Sequence, residues 1–91
     1  MKGSRRSKVE ITIEILKCTQ LPIKKTKLMY AANLSWDPLL SYLAKLKEKG
    51  LIEEIPFQGD NNRTLTLIQI TKKGSKFLKK YEMLQKELEG L

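Results

Sequence analysis

The chain has no histidine and a single cysteine in 91 residues. Without an imidazole it lacks the commonest general base and metal ligand, and a lone Cys18 can neither close an internal disulfide nor begin a zinc site. Glycine is sparse and nowhere arranged as a phosphate-binding loop. No nucleophile has an identifiable base beside it, and the neighbouring carboxylates of Glu53 and Glu54 would point to opposite faces of an extended segment. These absences argue against an enzyme and against a bound cofactor or metal. Long apolar runs are missing as well: Val9 to Leu16 is interrupted by Glu10, Thr12 and Glu14, so the basic opening leads into neither a signal-peptide core nor a membrane span. The expectation is a cytoplasmic chain with no membrane contact, and nothing in the residues points to a small-molecule ligand.

Positive charge is what the chain has in excess. Eighteen Lys and Arg face ten Asp and Glu, a formal net charge of +8. The cations cluster as Lys2, Arg5, Arg6 and Lys8, then Lys24, Lys25 and Lys27, then Lys72, Lys73, Lys76, Lys79 and Lys80, with a nearly neutral middle. Such a field attracts polyanions, although lysines also keep small domains in solution. The length suffices for one modest core, so residues 1–91 are read as a single domain.

Periodicity supplies the organisation. Ser7 is placed to cap a helix carrying Val9, Ile11, Ile13, Ile15 and Leu16 and ending before Pro22; alternation would also suit a strand, but Glu10, Glu14 and Lys17 fit a helix's solvent face. A second short helix runs from Lys25 to Ala32, with Asn33 suited to the left-handed conformation that ends it. Ser35 then caps a third helix from Trp36 to Lys49, stopped by Gly50, with Leu39, Leu43 and Leu46 inward. From Leu51 to Phe57 and from Thr64 to Thr71 the pattern is extended around the polar tip Gln58 to Arg63, which makes a hairpin. Apolar residues of both parities in Leu65, Leu67, Ile68 and Ile70 imply a strand covered on two faces or bulged near Leu67. Thr71 caps a last helix reaching Leu88, in which Phe77, Tyr81, Leu84 and Leu88 form a seam. Phe77 is expected to seal the core and the later leucines to project beyond it.

The fold expected is α+β but mostly α: a winged helix-turn-helix of three helices, a β-hairpin wing and a C-terminal helix. The residues Lys25-Thr26-Lys27-Leu28-Met29-Tyr30-Ala31-Ala32-Asn33-Leu34-Ser35-Trp36, then Tyr42-Leu43, Gly50-Leu51-Ile52 and Ile70-Thr71-Lys72-Lys73-Gly74, make the chain resemble small archaeal winged-helix DNA-binding proteins, chromatin-associated and dimeric through a coiled coil. The resemblance spans most of the chain. It implies DNA binding and homodimerisation through the C-terminal helix, residues 72–91.

The expected partner is double-stranded DNA, bound by a transcriptional regulator or a nucleoid-associated, chromatin-type protein. Opposite its apolar stripe the third helix presents Asp37, Ser41, Lys45 and Glu48, with Pro38 at the edge. Expected DNA contacts are Arg5 and Arg6 in the leader, Lys25 and Lys27 on the second helix, Ser35, Ser41 and Lys45 on the third and Arg63 on the wing. Asn61 and Asn62 fit the turn for conformational reasons alone. Tyr30 and Trp36 are assigned to the core, and the lysines of the last helix to its solvent face. The seam predicts a homodimer through Tyr81, Leu84 and Leu88. The acids of the third helix support an alternative, a protein-interaction module of the transcription or replication machinery without direct DNA readout.

Overall fold

A computed structural model describes residues 6–59 and 63–91. The elements run α1 (Lys8–Cys18), β1 (Ile23–Lys24), α2 (Lys25–Ala31), α3 (Trp36–Glu48), β2 (Ile52–Gln58), β3 (Thr64–Ile70) and α4 (Lys72–Glu89). The expected winged helix-turn-helix is present, and β1 adds an edge strand, so the antiparallel sheet has the order β1-β3-β2.

The start of α1 is written locally. The Ser7 hydroxyl accepts from the Glu10 amide at 3.1 Å while the Glu10 carboxylate accepts from the Ser7 amide at 2.9 Å, a reciprocal cap. Those bonds from Ser7 hold the Glu10 carboxyl below its ordinary range. At the other end of α1, Thr19 is fully buried, its hydroxyl donating to the Ile15 and Leu16 carbonyls. Its own carbonyl accepts from the Ile70 amide at 2.8 Å, which ties the end of α1 to β3.

Helices α2 and α3 end in the same way. Asn33 and Gly50 have φ of 55° and 76°, and in each case the next residue's amide reaches back to close the helix: Leu34 to the Met29 carbonyl at 3.0 Å, Leu51 to the Leu46 carbonyl at 2.9 Å. Ser35 stands at the N-cap of α3 in extended conformation, but its hydroxyl makes no capping bond, contrary to expectation.

The hairpin keeps one register from Ile52 opposite Ile70 to Gln58 opposite Thr64. An unbroken register excludes a bulge near Leu67 and leaves the other alternative: Ile68 and Ile70 face the core, fully and nearly buried, while Leu65 and Leu67 are half-buried on the opposite face beside Ile55. The core unites Ile13, Ile15 and Leu16 of α1, Leu28 and Ala32, Leu39, Leu43 and Leu46 of α3, then Leu51, Ile52, Ile68, Ile70 and Leu78.

The last helix meets this core through Gly74 and Leu78, with Tyr81 half-buried against it. Phe77 does not seal the core: it stays 46% exposed and Leu78 takes the place expected for it. At 100° per residue Gly74, Leu78 and Tyr81 share an arc of about 60°, and Leu88, Phe77 and Leu84 continue it about 20–60° beyond Tyr81. Eighteen residues of α4 extend about 27 Å, and the radius of gyration is 14.4 Å where a compact domain of this size would have about 12 Å.

The segment Ile70-Thr71-Lys72-Lys73-Gly74 joins α4 to the end of α3. Thr71 donates its hydroxyl to the Gly50 carbonyl at 2.6 Å and accepts from the Gly74 amide at 3.0 Å. Its own amide reaches the Leu51 carbonyl at 3.0 Å, and the Lys73 ammonium donates to the Lys49 carbonyl at 2.8 Å. Among the described residues no helix is long and apolar enough to cross a membrane, and no group of His, Cys, Asp and Glu is placed to hold a metal ion.

Candidate nucleic-acid interface

The turn between α2 and α3 is short because small and left-handed residues allow it. Ala32, without bulk, is fully buried in the core, and Asn33 reverses the chain. The Arg6 guanidinium donates to the Asn33 carbonyl at 2.7 Å, so a residue expected on DNA also braces the turn that presents α3. Arg5, Asn61 and Asn62 lie outside the described residues.

Burying Leu39, Leu43 and Leu46 turns Asp37, Ser41, Lys45 and Glu48 outward, all exposed. This pole lies between two lysine flanks. On one side Lys8, from the first turn of α1, shares a hollow of about 130 Å³ with Pro38, Ser41, Tyr42 and Lys45. On the other side Lys25 and Lys47 both reach Glu54 on β2, at 3.4 and 3.1 Å. The hydrogen bond from Lys47, with Lys25 beside it, holds the Glu54 carboxyl below the ordinary carboxylate range.

The expected site residues therefore divide. Ser41 and Lys45 share one exposed face, with Ser35 at its N-terminal end and Lys27 exposed on α2. Lys25 is engaged by the wing strand. Arg63 is exposed where the wing returns, its carbonyl accepting from the Gly59 amide at 2.9 Å. Sequence reasoning passed over Lys8, Lys47 and Glu54. Lys8 belongs to the basic leader, a signal present in the sequence; the pairing of Glu54 with Lys25 joins residues far apart in sequence and has none.

Tyr30 and Trp36 are not core residues: they are 79% and 41% exposed. Tyr30 follows buried Leu28 by two positions, about 200° around the helix, and so faces away from the body. Trp36 opens α3 and contributes a partly exposed aromatic surface at its N-terminal turn. Cys18 is half-buried, and burial together with Glu14 pushes its thiol pKa up, the opposite of what a reactive thiolate needs.

An uncharacterized protein of Methanocaldococcus jannaschii is 35% identical over 79 residues, covering 86% of this chain and 33% of that protein, so the chain spans about a third of its relative's length. In fold the chain is similar to the transcriptional regulator BldR from Sulfolobus solfataricus, with a TM-score of 0.72 at 24% identity over 86% of this chain and 55% of that one. It is also similar to Sso10a-2, a DNA-binding protein from Sulfolobus solfataricus, with a TM-score of 0.69 at 20% identity over 93% and 87% of the two chains. The winged helix-turn-helix family matches residues 5–89, and the chain belongs to that family.

Proposed function

We propose that the chain binds double-stranded DNA through its winged helix-turn-helix, as a transcriptional regulator or a chromatin-associated protein. The observation that carries this reading is the exposed face of α3, with Ser41 and Lys45 on its surface and lysines from α1 and α2 on either side. Helix α3 enters the major groove, where a serine hydroxyl and a lysine ammonium reach base edges or phosphates, and Arg63 extends contact to the neighbouring backbone. Lys8, Lys25, Lys27 and Arg6 add cations around it, and Arg5 extends the same basic leader. The relatives in fold described as a regulator and a DNA-binding protein agree with this reading. It makes the chain a binding protein rather than an enzyme, working in the cytoplasm at the nucleoid.

Two copies join through α4. Leu84 and Leu88 are 56% and 59% exposed on a helix that outruns its domain, and Tyr81 forms the root of the same seam. Apolar residues repeated along one side of a projecting helix are best covered by the same helix of a second copy.

Binding titrations of random-sequence and genomically selected duplexes at two salt concentrations test the function. Nonspecific affinity in the micromolar range or weaker, falling steeply with salt, is the expected baseline, and any preference for selected duplexes separates a regulator from a general organiser. Salt-insensitive or absent binding favours a protein-interaction module, a reading that the exposed Asp37 and Glu48 on α3 would then explain.

A further inference from the structure

Between the start of α1, the C-terminal half of α3 and the first turns of α4 lies a groove of about 360 Å³. Its walls are apolar, formed by Val9, Ile13, Leu46 and Phe77 among others. Val9 and Phe77 are 56% and 46% exposed, although Val9 belongs to the apolar set of α1 and Phe77 is the residue expected to seal the core. Lys8, Lys45 and Lys49 also line the groove, and among the described residues no carboxylate does.

This combination restricts what can occupy it. An apolar concavity of a few hundred Å³ with a few polar groups converging on it has the size and make-up of a small-molecule site. A neutral apolar occupant would match the walls but offer the positive charge of Lys8, Lys45 and Lys49 no partner. A sugar phosphate would set a polar body against Val9 and Phe77. An apolar body ending in one anionic group satisfies both the walls and the lysines, since carboxylate and ammonium form a charge-assisted hydrogen bond. We propose that the groove binds a small amphipathic monoanion, an aromatic or branched aliphatic body carrying one carboxylate.

The site has a consequence for DNA, which rests on the DNA-binding reading above. Lys45 lines both this groove and the hollow that contains Ser41 on the outward face of α3. A carboxylate drawn to Lys45 withdraws that cation from phosphate, so the ligand and duplex compete.

The test uses naphthoate and its neutral isostere naphthamide, titrated into the full chain without DNA and followed by NMR. Naphthoate should shift the backbone amides of Val9, Leu46 and Phe77 and bind about tenfold more tightly than the amide. The Val9→Glu, Phe77→Glu double variant, checked for folding by circular dichroism, should lose at least about tenfold in naphthoate affinity. Lys49→Gln should weaken naphthoate while leaving naphthamide unchanged, which separates charge recognition from packing. Equal affinity for acid and amide, or shifts confined to other residues, overturns the site. So do groove amides that respond to protein concentration instead of naphthoate, the sign of a second copy seated there. Saturating naphthoate should then lower duplex affinity; unchanged duplex affinity overturns the competition. A chain that takes up naphthoate yet binds no duplex under any condition supports the site and rejects the DNA reading.

Discussion

The α-carbon of Gly74 lies against the carbonyl oxygen of Leu51, leaving no room for a side chain between them. A Cβ at this position would overlap that oxygen and come within 2.7 Å of Ile70 Cγ1. Neither neighbour can yield easily, because one is backbone immediately before β2 and the other is a core side chain in β3.

Gly74→Ala should therefore destabilise the chain by about 1–3 kcal/mol, although alanine is the better helix former. Gly90→Ala is the control: its Cβ would meet only ordinary contacts, the nearest at 3.5 Å, and the change should be neutral or slightly stabilising. Urea unfolding of the two variants checks the contrast.

The two candidates for closing the core from α4 should separate as sharply. Leu78→Ala removes a side chain that is 4% exposed and should cost about 2–5 kcal/mol, whereas Phe77→Ala, at 46% exposure, should cost clearly less. Thermal or denaturant melts of both variants give the order.

For DNA, Lys45→Ala and Arg63→Ala should each weaken binding. If each residue neutralises one phosphate, each change should make the slope of log affinity against log salt shallower by about 0.9. Unchanged affinity in both variants would remove the docking geometry.

Glu54 makes an opposite prediction. Its carboxylate stands near Lys25 and Lys47, partly neutralising cations beside α3. Glu54→Gln should tighten duplex binding and increase its salt sensitivity. Because the folded chain lowers the Glu54 pKa, the stability from its ion pairs is present above the ordinary carboxylate value and is lost as pH falls through the lowered one. These pairs are about one-third or more exposed, so the amount is at most about 1 kcal/mol. A carboxyl-detected NMR titration of Glu54 should place its midpoint below 4.5, the unperturbed value.

The Leu84→Glu, Leu88→Glu double variant tests assembly. Both side chains are more than half exposed, so the variant should fold as well as the wild type. Sedimentation equilibrium should give a dimeric wild type and a monomeric variant; a wild type monomeric at tens of micromolar rejects the seam.

Local signals account for most of what could be read before the fold was known. Ser7 with Glu10, Asn33, Gly50 and Thr71 act within a turn or two of their own positions, and each marks the boundary expected of it. What escaped depends on distant surroundings. Strand β1 is two residues long and exists through its pairing with Ile68 and Leu67. Phe77 and Leu78 both suit an apolar helical stripe, and the choice between them is made by how Gly74 docks on Leu51. In the site, Ser41 and Lys45 follow from the helical period of α3, but the engagement of Lys25 by Glu54 follows only from the wing folding back beside α2 and α3.

The bonds from Thr71 and Lys73 to Gly50 and Lys49 have a consequence at a larger scale. They make the end of α3 and the root of α4 parts of one rigid bracket. In a pair of chains joined along α4, that helix becomes a ruler: its length and the seam's register set the distance and relative rotation of the two α3 helices. Inserting one residue in α4 beyond Tyr81 would rotate the far contacts by about 100° and advance them about 1.5 Å, whereas inserting a heptad would nearly restore the rotation and lengthen the span by about 10 Å.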